Sequence, residues 1–148
     1  VSPPVVRSPA STGARVPPSE MQFRAGWRNG RAAAYRSVRR AVHLPEFVYG
    51  APPDARRVRH DVALLELQHP VDASIAAPFP TDRRPGTGDE IGVVSYAFDR
   101  SEAPSLQQIC EVISRQEGVL VMSCAADFGS SGAPVFSFES GEPRIVSR

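Results

Sequence analysis

The chain is predicted to fold as an all-β domain, and three observations lead there. Its apolar residues fall in short runs of four to nine, several alternating with polar ones as half-buried strands do. Turn signatures separate those runs, among them Asn29-Gly30, Gln116-Glu117-Gly118 and Ser140-Gly141-Glu142-Pro143. No stretch of ten or more residues carries a helical repeat, and no internal repeat is present. Short strands with irregular connections describe a sandwich or a barrel.

Residues 1–20 hold Pro3, Pro4, Pro9, Pro17 and Pro18 among Ser, Thr and Gly, which makes an irregular arm rather than a strand or helix. The domain proper is expected over 21–148. Met21 to Trp27 alternates as a first strand, Asn29-Gly30 turns the chain, and Ala34 to Val42 returns. Residues 43–60, with Pro45, Gly50, Pro52 and Pro53, read as a long loop. Val62 to Leu67 is nearly continuous in apolar residues, as in a strand covered on both faces. A second loop spans 69–89, and Ile91 to Phe98 is the next strand. Ile109–Ile113 pairs with Val119–Ser123 across one hairpin turn, and Val135–Phe138 with Arg144–Ser147 across another.

At 148 residues the chain can bury one core, and its length argues for a single domain. A formal charge of +1 gives no general reason to expect nucleic acid or a membrane surface as partner. All 17 basic residues are Arg, which in an Ala- and Pro-rich chain reads as codon bias from a GC-rich genome more than as a phosphate-binding device. No apolar run approaches the ~20 residues that span a bilayer. The first residue is Val1 and no signal-peptide pattern follows, so the chain is expected to be processed or cut from something longer. Cys110 and Cys124 have no His near them in sequence, which speaks against a zinc site. A disulfide between them is the natural reading and favours an oxidising compartment, with two free buried thiols as the alternative.

Two motifs carry chemistry. In Asp127-Phe128-Gly129-Ser130-Ser131-Gly132-Ala133-Pro134-Val135, small residues and two glycines surround Ser131 just before an apolar run. That composition suits a tight loop presenting a hydroxyl and backbone N–H groups. Standing alone, it is better read as a plain Gly/Ser turn into the strand Val135–Phe138. Seventy residues earlier lies His60-Asp61-Val62-Ala63-Leu64-Leu65-Glu66-Leu67, where Asp61 alone could be a strand-edge carboxylate facing solvent.

Taken together, and in this order, the two motifs resemble chymotrypsin-like (trypsin-family) serine proteases of the bacterial secreted type. The first resembles their Gly-Asp-Ser-Gly-Gly-Pro nucleophile loop, the second their Asp-Ile-Ala-Leu-Leu strand. The resemblance implies a chymotrypsin-like double β-barrel, incomplete at both ends, spanning roughly residues 21–147. It implies Ser131 as nucleophile and Asp61 as the buried carboxylate that orients a catalytic imidazole. The Gly129 and Ser131 amides would form the oxyanion hole, glycine tolerating a turn that a Cβ would resist. Cys124 stands where many such proteases have a Cys upstream of the nucleophile loop, so a Cys110–Cys124 disulfide would pin that loop to the preceding hairpin. The implied reaction is peptide-bond hydrolysis through an acyl-serine, on polypeptide substrates, with no metal and no cofactor, outside the cytoplasm (secreted or periplasmic).

Departures from the family pattern matter as much. Its histidine lies in a Thr-Ala-Ala-His-Cys-like segment before the aspartate, and nothing in residues 1–60 matches. His43 resembles the family's His-Pro-x-Tyr loop, His60 is expected on the strand face opposite Asp61, and His69 ends that strand. The catalytic base is thus expected to be missing, because the chain is an internal piece of a longer protease or else an inactive homologue acting as a binding module. An unrelated β-domain with two accidental motifs is a third reading. Ser130 replaces the Asp that pairs with the new N-terminal amine in animal trypsins, so the parent is expected not to use that activation switch. Ala125, near the expected floor of the primary pocket, offers no carboxylate for Arg or Lys. An α/β-hydrolase is excluded by order: its acid follows the serine, which sits in Gly-x-Ser-x-Gly before a helix. Here Ala133 stands at the second glycine and no helix follows.

Overall fold

The computed structural model describes residues 16–147 apart from 49, 53 and 126. Residues 1–15 of the expected arm therefore lie outside the described residues; its end forms a single 3₁₀ turn, Pro18–Glu20. The architecture is all-β, as expected, with two antiparallel sheets in sequence. The first has order β1-β2-β3, from strands Gln22–Ala25, Ala34–His43 and Ala63–Leu67. The second has order β6-β5-β4-β7-β8, from β4 Glu90–Ser95, β5 Ser105–Gln116, β6 Val119–Met122, β7 Val135–Ser137 and β8 Arg144–Ser147. Neither sheet closes into a barrel among the described residues.

Local chemistry sets the hairpins. Asn29 and Gly30 both take positive φ, and Arg28 and Arg31 exchange two backbone hydrogen bonds across them. Glu117 and Gly118 repeat that geometry between Gln116 and Val119. Turns of this hand match the twist of the strands they join.

The core lies in the second sheet. Ile91, Cys110, Val112 and Val135 pack together, and the ring of Phe79 meets buried Phe136 edge-on at 4.8 Å. In the first sheet only Ala25, Ala34 and Val38 of the named strands are fully buried. Polar contacts join the sheets: the buried Tyr96 hydroxyl donates to the Trp27 carbonyl, Trp27 Nε1 donates to the Ser101 carbonyl at 3.1 Å, and the Asn29 N–H donates to Glu102. Arg59 supplies another tie, donating to the Glu117 carbonyl in the β5–β6 turn.

Four expectations need correction. The strand read as covered on both faces is instead an edge strand: Leu64 is 73% exposed and none of β3 is fully buried. Its apolar run carried no information about which of its faces had a neighbour. The loop 43–60 contains a helix, α1, at Ala55–His60, nucleated where the Asp54 carboxylate accepts the Arg57 N–H at 2.8 Å. The strand expected to reach Phe98 stops at Ser95, because Phe98 N–H turns away to the Phe128 carbonyl. Finally, β5 begins at Ser105 rather than 109, since a bulge at Gln108–Ile109 breaks the alternation that marks a strand.

Candidate active site

The Asp127–Pro134 loop lies between β6 and β7 and is held at three points. Cys110, in β5 and fully buried, forms a disulfide with Cys124, with Cα atoms 5.1 Å apart. A bridge closing a loop of this size contributes about 3 kcal/mol in the chain-entropy account. The Phe98 N–H donates to the Phe128 carbonyl at 2.8 Å. At the downstream end the Val94 N–H reaches the Pro134 carbonyl, and β7 then pairs with β4.

Inside those anchors the loop makes two tight turns. The Ser130 N–H donates to the Asp127 carbonyl and the Ala133 N–H to the Ser130 carbonyl, each at 3.0 Å. Gly129 has φ +90 and Gly132 φ +78. A Cβ on Gly129 would stand 3.0 Å from the Phe98 nitrogen and 3.1 Å from the Tyr96 oxygen. Both are backbone atoms that cannot step aside, so this position demands glycine on conformation and on space. Gly129 and Ser131 are exposed. Among the described residues, the N–H groups of Gly129 and Ser131 donate to nothing, nor does the Ser131 hydroxyl have a partner, while the amide between them is engaged.

Asp61 sits elsewhere in the order of elements, at the C-cap of α1, where its N–H donates to the Val58 carbonyl at 3.2 Å. It is exposed, where the resemblance implies a buried carboxylate. The chain emerges there from a short surface helix into an edge strand, so little protein covers it. His60 belongs to that helix and not to a strand, so strand alternation is not what separates it from Asp61. Its Nδ1 lies 2.7 Å from the Arg56 carbonyl, back along the helix. The His43 Nδ1 is 3.0 Å from the carbonyl of the next residue, Leu44. His69 is exposed beyond the end of β3. Two of the three imidazoles are therefore engaged with local backbone.

Tyr96, Ala97 and Phe98, which hold Gly129 in place, were not legible as site residues. They read as the tail of a strand, and only the fold brings that tail beneath the loop.

An antiparallel all-β chain with a glycine-bound serine loop pinned by a disulfide defines a class, and comparison with known families agrees. The model of the trypsin-like peptidase domain matches residues 8–143. The chain belongs to that family, whose members are proteases acting on polypeptides. A search of curated proteins found no match. Among the described residues no helix is long and apolar enough to cross a membrane.

Proposed function

We propose that this chain carries the nucleophile and oxyanion elements of a serine endopeptidase. Ser131 Oγ attacks the scissile carbonyl carbon and its proton passes to an imidazole, which protonates the departing amine. Water then hydrolyses the acyl-Ser131 ester. The Gly129 and Ser131 amides receive the negative charge that develops on the carbonyl oxygen. The observation that carries this reading is the pair of unengaged N–H groups flanking an engaged one, on a loop anchored to Tyr96–Phe98. In an ordinary turn the loop would have no reason to hold Gly129 so tightly against backbone. Asp61 is assigned to orient the imidazole, which none of the three histidines of these 148 residues supplies.

The exposure of Asp61 and the local engagement of His43 and His60 favour a second reading, an inactive homologue that binds polypeptide without cleaving it. A fluorophosphonate probe separates the two. Applied to the protein as its gene encodes it, the probe is expected to modify Ser131, with peptide mapping locating the adduct and Ser131→Ala abolishing it. A protein that stays unlabelled is the inactive homologue. The 148-residue chain by itself is expected to hydrolyse peptides close to background, since loss of a triad member leaves only residual catalysis. Robust turnover that Ser131→Ala abolishes would show that these residues do contain a base.

A further inference from the structure

Arg59, Arg84 and Arg115 converge on one cavity of about 190 Å³. They come from three separate places: the last turn of α1, the linker ahead of β4, and β5. Gly118, Leu120 and Ser147 form most of the remaining wall, with Val146 beside them where β8 bulges against β7. Among the described residues no carboxylate lines the cavity. Among the described residues none of the three guanidiniums forms an ion pair, which is equally true of Arg24, Arg28, Arg31, Arg36 and Arg56; what sets the three apart is that they face one cavity. An Arg-rich composition accounts for many guanidiniums but not for three of them, from separate parts of the chain, meeting at one cavity.

The site is also partly preorganised. Arg59 lies across the tip of the β5–β6 hairpin, where a Cβ on Gly118 would come within 3.1 Å of Arg59 Cδ, and its guanidinium donates to the Glu117 carbonyl at 3.4 Å. Three like charges around one concavity repel, and an oxyanion relieves that repulsion. Guanidinium groups bind carboxylate and phosphate through paired N–H donors. Leu120 and Val146 add apolar wall, which suits the methylenes of a side chain and offers nothing to a free inorganic ion.

We propose that this cavity is a carboxylate-binding subsite for an acidic side chain, Glu or Asp, of a polypeptide. It rests on the polypeptide-substrate part of the reading above and not on Ser131. None of its lining residues belongs to the Asp127–Pro134 loop, and it is not the primary pocket expected near Ala125.

An NMR titration of the 148-residue chain at low ionic strength tests the site, read at the Gly118 and Leu120 amides. The probes are acetyl-Ala-Glu-Ala-amide, its Gln counterpart and inorganic phosphate. The Glu peptide is expected to bind at least about tenfold more tightly than the Gln peptide, the scale of a charge-assisted contact. The double variant Arg84→Gln/Arg115→Gln should bring it down to the Gln level. Both side chains are exposed, and either single variant gives the same readout in weaker form should the double variant fold poorly. Equal binding of the two peptides overturns the proposal, as does Glu-peptide binding that the Arg variants leave unchanged. Phosphate binding without discrimination between the peptides overturns it too, by making the occupant a free anion. Because binding is read without turnover, failure here leaves the Ser131 reading standing, and failure of Ser131 labelling leaves this site standing.

Discussion

Gly129 and Gly132 both take positive φ, +90 and +78, in very different surroundings, which makes them a useful pair to compare. Around Gly132 a Cβ meets nothing within 4 Å, so Gly132→Ala carries only the conformational cost of a left-handed residue, about 1 kcal/mol. Gly129→Ala adds a collision with the backbone of Tyr96 and Phe98, and should cost about 2–3 kcal/mol or displace the loop. Urea denaturation of both variants measures the difference. Equal losses would mean that the Gly129 turn is not clamped against the strand tail. The sequence alone marks both glycines as turn formers. It contains no sign that one of them is walled in, because the wall comes from residues about thirty positions away.

The strands and their turns show what alternation can and cannot disclose about an element. The hairpins at 28–31 and 116–119 are readable because their turn residues are local and few conformations join two strands so tightly. Bulges are not readable in the same way. At Ile109 the chain takes φ +63 with a β-branched side chain that is 81% exposed, opposite a register shift between Ile91 and Val93. That conformation costs about 1–2 kcal/mol, and so little burial compensates it. Ile109→Gly is accordingly expected to stabilise the chain by up to about 1 kcal/mol, after the extra flexibility of glycine in the unfolded state is discounted. Thermal or urea unfolding decides it, and a loss of stability would show that the Ile109 side chain contributes packing its exposure hides. Helix α1 is a related case. Asp54 is a cap signal in plain view, but the prolines before it and the brevity of the helix made the segment read as loop.

At the scale of the molecule, two sheets that share little buried apolar surface are joined by polar contacts from the first hairpin to the 96–102 segment. The same segment stands against Gly129, so the joint and the candidate site share Tyr96–Phe98. Removing the hydroxyl in Tyr96→Phe deprives the Trp27 carbonyl of its donor and should cost about 1 kcal/mol. Trp27 is the sole tryptophan, so its fluorescence reports on the joint directly. A shifted emission maximum is expected alongside the lost stability, and unchanged emission with unchanged stability would mean that the sheets do not depend on this contact.

By itself the sequence determined the all-β class, the tight hairpins and the family, and it singled out the glycine-flanked serine loop as the candidate site. Each of these depends on residues adjacent in the chain, where side-chain period and turn conformation act directly. The Cys110–Cys124 pairing was also legible, because the chain has only two cysteines. Only the tertiary structure decided which strand faces solvent, that Asp61 stands exposed at a helix end, and that Tyr96–Phe98 buttresses the Asp127–Pro134 loop. It alone brought Arg59, Arg84 and Arg115 to one cavity. Those outcomes turn on which distant segments come to lie against each other, and no local period encodes the neighbour that a side chain will meet.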